Sequence, residues 1–157
     1  MNKMNNAQII RDIASKYRIK LEEKYGKDQY SLMGKCIEAT DTLVVMYKRI
    51  GIKASAKQVW VLYENFEGCT DICYEEHWLV KIELNKSQNL YVDITMSQFQ
   101  WAFSRKLPAV YIDDTLPNFY LSRKPGKVTL DKCGWNDWYN YGDYTNNFNY
   151  WNKYTKL

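Results

Sequence analysis

Two hydrophobic rhythms divide the chain. In its first third apolar residues recur every three or four positions; further on they alternate with polar ones. Ile9, Ile13, Tyr17 and Leu21 stand four apart, and Ile10 and Ala14 widen the stripe, which predicts a helix over 6–24 closed by Gly26. Cys36, Ala39, Leu43, Met46, Tyr47 and Ile50 follow the same steps, predicting a second helix over 34–50 with Gly51 at its C-terminal cap. Cys36 then falls in or just before the first turn of that helix.

The rhythm changes at "QVWVLYENF" (58–66), whose β-branched and aromatic residues predict a strand. After the loop "EGCTDICYEE" comes "HWLVKIEL" (77–84). Here Trp78, Val80, Ile82 and Leu84 face one way, and His77, Leu79, Lys81 and Glu83 the other. "NKSQN" reads as a turn and "LYVDIT" (90–95) as its partner strand, so 77–95 is a predicted hairpin. "MSQFQWAF" reads as a short helix or turn. "AVYIDDTLPNFYLSRKPGKVTL" holds two more short strands, punctuated by Pro117 and Pro125.

Aromatics and asparagines dominate 134–157. Tyr141, Tyr144, Phe148, Trp151 and Tyr154 have the spacing of a helix laying rings on the body, but asparagine is a poor helix former, so an irregular covering segment fits as well. Helices first, then an antiparallel sheet, is an α+β order, and residues 1–157 form one domain in this reading.

Composition narrows the classes. The 157 residues are 46% hydrophobic, 25% charged and 16% aromatic, as in an ordinary globular domain and unlike a disordered chain. The net charge of +4 is spread along the chain without a basic run, so no nucleic-acid partner is expected. No stretch approaches the roughly 18 apolar residues of a membrane helix, and the N-terminus lacks the apolar core of a secretory signal. A cytoplasmic protein is expected, or one exported without a recognisable signal peptide. The four cysteines are expected to be reduced in that setting; disulfides would require an extracellular one. There is no glycine-rich phosphate loop or dinucleotide fingerprint, and no cofactor is expected.

The candidate chemistry lies in Cys36, His77 and Asp93. A thiol becomes a strong nucleophile when ionised, and a helix N-terminus and an adjacent imidazolium both favour the thiolate. Cys36 has the first, and His77, the only histidine of the chain, can supply the second. The base in turn needs an orienting group on its other nitrogen. Asp93 sits mid-strand between Val92 and Ile94, where an ionised carboxylate is depleted and requires a partner. If the apolar faces of the hairpin coincide, His77 and Asp93 project to one side. Direct opposition centres the turn on Asn85, whereas the turn composition places it slightly later, one diagonal step away.

Glycine-x-Cys opening a helix, a His opening an apolar strand, and "YVDIT" on the next strand together resemble the transglutaminase-like and papain-like superfamily of Cys-His-Asp enzymes. The short His-to-Asp separation is closer to its transglutaminase-like and arylamine-acetyltransferase branches, and "YVDITMSQF" resembles the D-x-T-x-x-Q-F of small bacterial members. The resemblance covers roughly residues 30–100. It implies a papain-like fold in which the Cys-bearing helix packs on an antiparallel sheet, with Cys36 as nucleophile, His77 as general base and acid, and Asp93 as orienting carboxylate. The implied chemistry is peptide or isopeptide hydrolysis, glutamine deamidation or acyl transfer on a protein or peptide substrate. Some relatives are toxins or effectors, which would bring a cognate inhibitor or immunity protein as partner.

The sequence departs from the superfamily in two ways. "C-G-S-C-W" is missing, and Ile37 stands where an aromatic often follows the nucleophile. For the oxyanion and substrate contacts the candidates are the Cys36 backbone N–H, Gln29 upstream of it, and Trp78 beside the base.

Two rival readings use other residues. Cys69-x3-Cys73-x3-His77 with Cys133 offers zinc-compatible atoms but lacks a second ligand pair, and no metal is assigned. The aromatic C-terminal segment would serve a non-catalytic binding or immunity-type protein as a contact surface.

Overall fold

The computed structural model describes residues 3–28, 30–62 and 74–124. The element order is helix α1 (Lys3–Tyr25), helix α2 (Cys36–Arg49), strands β1 (Ala54–Leu62), β2 (Tyr74–Asn85) and β3 (Gln88–Asp93), a 3-10 helix (Met96–Ala102), and short strands β4 (Tyr111–Asp113) and β5 (Tyr120–Leu121). The protein is α+β, as its residue pattern predicts. The Cys69, Cys73 and Cys133 of the zinc reading, Gln29, and the aromatic segment 134–157 all lie outside the described residues.

Both helices end where glycine permits it. Gly26 has φ +113°, and its N–H closes on the Glu22 carbonyl at 2.8 Å. Gly51, at φ +82°, completes a Schellman pattern: Gly51 N bonds Lys48 O at 3.0 Å and Ile52 N bonds Tyr47 O at 3.0 Å. From α2 the chain turns directly into β1 (Ala54–Leu62).

The sheet is antiparallel throughout, ordered β4-β3-β2-β1-β5. Strand β1 begins at Ala54, four residues ahead of the predicted start, and its first residues "ASAK" have little strand propensity of their own. They are held by pairing, with Ala54 opposite Ile82 and Ala56 opposite Val80. Strand β2 likewise starts three residues early, at Tyr74.

The sheet is covered on both faces. Ile10, Ala14 and Leu21 of α1 pack with Ala39, Leu43 and Tyr47 of α2 onto Ala54, Val80, Ile82 and Val92. On the opposite face Val59, Val61 and Leu79 meet Met96, Phe99, Phe103, Phe119 and Tyr120. Leu79 faces the same way as His77, and it is 1% exposed because the segment from 96 onward folds over that face.

Candidate functional site

Strand register decides which side chains meet. Val80 pairs with Val92 and Lys81 with Tyr91, so the turn is centred after Asn85 and His77 lies diagonal to Asp93. The step is short enough for the two side chains to bond directly: His77 Nε2 is 2.7 Å from Asp93 Oδ2. Both residues are buried, at 0% and 2% exposure. The Asp93 carboxylate is fully engaged. Its Oδ2 also accepts from the Tyr120 hydroxyl at 2.5 Å, and Oδ1 accepts from the Thr95 N–H at 2.9 Å and more loosely from the Thr95 hydroxyl.

Nε2 being committed to Asp93, the Nδ1 edge of His77 is left for Cys36, which lies near enough to the ring to favour its charged form. Cys36 is the first residue of α2, with Lys35 as N-cap and no side-chain cap bond there. The first-turn N–H groups therefore have no side-chain cap, and the positive end of the helix dipole lies at Cys36. Cys36 is itself a free thiol with 9% exposure. The chain thus gathers Cys36, His77 and Asp93 into one cluster, from residues that lie 41 and 16 positions apart.

Gln98, also buried, completes the Nδ1 edge. Its Oε1 accepts from the Gly34 N–H at 3.2 Å, which fixes the amide so that Nε2 points at His77 Nδ1, 3.4 Å away. Gly34 has φ +74°, a left-handed conformation that glycine adopts without strain, and so it aims its N–H at the amide. The ring of His77 is otherwise wedged edge-on between Phe99 and Tyr120, at centroid distances of 5.0 and 5.4 Å.

The electrostatics follow from this enclosure. Burial opposes charging of His77, but the Asp93 carboxylate, the hydrogen bond to it and the contact with Cys36 outweigh burial and raise the imidazole to about 9. For Asp93 burial favours the neutral acid; the His77 charge and the bonds from His77, Tyr120 and Thr95 prevail and hold it below the usual carboxylate range. Burial and the Asp93 charge keep Tyr120 a neutral donor, its hydroxyl well above the ordinary phenol value. At neutral pH the site therefore holds an imidazolium against a carboxylate.

Arg18 of α1 braces the turn that follows Asp93. It is 8% exposed, and its guanidinium donates to Ile94 O at 2.7 Å, Ser97 Oγ at 2.8 Å and Ala109 O at 3.2 Å, while Glu22 holds its Nε at 2.8 Å.

Of the secondary candidates, Trp78 lies on the opposite face of β2 from His77 and lines a hollow with Ile37, Thr40, Asp41 and Ala56. Gln29 falls outside the described residues. Residue spacing missed Thr95, Gln98, Tyr120 and Arg18. Thr95 and Gln98 stand in the quoted "DITMSQF", so their nearness to Asp93 was visible there, though not their partners.

Both ring nitrogens of His77 face partners within this cluster, so a zinc on His77 would have to displace Asp93 or the Cys36–Gln98 side. Among the described residues no helix is long and apolar enough to cross a membrane, and no group of three or more His, Cys, Asp or Glu side chains is arranged to hold a metal ion. Comparison of the chain with protein-family models, with curated proteins and with solved structures gives no match.

Proposed function

We propose that this protein is a cysteine-dependent acyl-chemistry enzyme on a papain-like or transglutaminase-like scaffold, acting on a protein or peptide. One observation carries the reading: a buried imidazole bonded through Nε2 to a fully satisfied carboxylate, with its other edge on a thiol at a helix N-terminus.

In this mechanism the Cys36 proton already resides on His77 Nδ1 in the resting site, and Asp93 stabilises that imidazolium. The thiolate attacks the substrate carbonyl carbon, and the C=O electron pair moves to oxygen. The Cys36 backbone N–H, one of the first-turn donors without an intrahelical acceptor, serves one side of that oxyanion. Gln98 is assigned the second donor. Because Nδ1 carries that proton it does not accept from the amide, and the Gln98 N–H is left to bond the developing oxygen. Collapse breaks the C–N bond, His77 Nδ1–H protonates the departing nitrogen, and a Cys36 thioester remains. Water or an amine, deprotonated by His77, then attacks the thioester carbonyl and releases the thiol. Water as the second nucleophile gives hydrolysis or, on a glutamine side chain, deamidation; an amine gives acyl transfer.

Alkylation with iodoacetamide at about pH 6, read by peptide mass mapping, tests the proposal. Cys36 is expected to react faster than Cys69, Cys73 and Cys133, and His77→Gln is expected to remove that advantage. Equal, slow reaction of all four thiols would overturn it and leave the alternative of a non-catalytic binding protein.

A further inference from the structure

A second feature lies one helical turn from the thiol. Ile37, Thr40 and Asp41 of α2 and Ala56 and Trp78 of the sheet enclose a hollow of about 250 Å³. Thr40 stands four residues after Cys36 and Asp41 four after Ile37, so the hollow runs along the helix beside the nucleophile. Its volume is below the roughly 300–1,000 Å³ that drug-sized ligands occupy, which suits one side chain of a larger substrate.

Its lining has a definite chemistry. Trp78 offers an aromatic face, Ile37 is 57% exposed and supplies an apolar wall, and Thr40 is 3% exposed. Asp41 is the charged group of the hollow, and among the described residues it has no ion-pair partner. The cations nearby are directed elsewhere. Lys57 and Lys81 alternate to the opposite face of the sheet from Ala56 and Trp78, and the Lys35 ammonium sits 4.4 Å from the Tyr25 ring centroid. An aliphatic stem ending in a cation matches this arrangement: the stem lies on Ile37 and Trp78 and the charge reaches Asp41.

We infer that the hollow is a specificity subsite for an arginine or lysine side chain of the substrate. The inference rests on Cys36 being the nucleophile of the proposed function.

The test uses peptidyl vinyl sulfones carrying arginine, norleucine or glutamate, scanned through each position flanking the electrophile, with the full chain as target. At one position the arginine probe is expected to modify Cys36 about tenfold faster than the norleucine probe. Asp41→Asn should erase that preference and Asp41→Lys should shift it to glutamate, both with an unchanged iodoacetamide rate at Cys36. Loss of discrimination in the native chain, or a preference that survives Asp41→Asn, overturns the subsite while a fast iodoacetamide rate leaves the nucleophile intact.

A slow iodoacetamide rate would remove the nucleophile instead. The hollow is then read by NMR, adding Nα-acetylarginine methylamide at about 10 mM and following the Trp78 indole N–H. A shift that Asp41→Asn abolishes supports a cation site, and no shift refutes one.

Discussion

The two faces of the sheet are equally buried and built on different principles. Under α1 and α2 the core is hydrocarbon: Ile10, Leu21, Leu43, Val80, Ile82 and Val92 are each 2% exposed or less, and Tyr47 meets its one polar need by bonding the Ile10 carbonyl at 2.8 Å. The opposite face encloses an unbroken polar chain, from Thr95 and Tyr120 through Asp93 to His77 and Gln98. Hydrocarbon packing holds a fold at low risk. A buried charge pair costs desolvation of both ions, and its return depends on every remaining bond being made. Here those bonds are made, and the chain ends at a thiol. Both faces therefore carry apolar packing, and the face opposite the helices adds a poised polar arrangement that stability alone does not require.

Substitutions on the two faces should separate along that line. Cys36→Ala is expected to have the largest effect on turnover, about 10⁴-fold or more in kcat/KM, with urea unfolding nearly unchanged. Asp93→Asn keeps the shape but not the charge, and is expected to lower turnover by about 10⁴-fold through loss of the ring's tautomer and orientation.

Effects on stability come next. Asp93→Ala should cost about 3–5 kcal/mol in denaturant unfolding, because it strands a buried imidazole and the Tyr120 hydroxyl. Leu43→Ala on the helix face should cost about 3 kcal/mol, yet leave the rate of Cys36 alkylation intact. A comparable loss of alkylation in Leu43→Ala would erase the distinction between the faces. Arg18→Met should cost about 1–3 kcal/mol and also slow alkylation, since the guanidinium holds the turn after Asp93.

The smallest effect is one of pH. Folding raises the His77 pKa from 6.5 to about 9, so the pair's contribution to stability is full below about pH 6.5 and fades as pH climbs through 9. Asp93, held below its ordinary 3.8, supplies its share above that value and loses it as pH falls through its folded pKa. Unfolding midpoints should therefore drop on the alkaline side in the native chain and less so in His77→Gln.

The local elements were legible from spacing, because three- and four-residue steps and strict alternation report which face a core will cover. Both helices came within a few residues of their observed ends, and the hairpin was placed with a diagonal register among its options. Cys36, His77 and Asp93 stood out as chemistry-bearing residues at element ends or mid-strand. The remainder depends on contacts remote in the chain. Arg18 reaches residues 76 to 91 positions away, and Tyr120 meets Asp93 across 27. Nothing local marks an arginine on an amphipathic helix as buried. Alternation assigned Leu79 to the His77 face but not its burial, because the segment that covers it begins only at Met96. The start of β1 was missed for the same reason: "ASAK" becomes a strand through its partner and not by propensity.

Coupling of thiol, imidazole and carboxylate is read on the ring itself. His77 is the only histidine, so ¹⁵N-imidazole NMR gives a single unambiguous titration. The ring is expected to stay charged through neutral pH, lose its proton near 9, and shift when Cys36 is replaced by alanine or Asp93 by asparagine. A ring that titrates near 6.5 and responds to neither substitution would contradict that coupling.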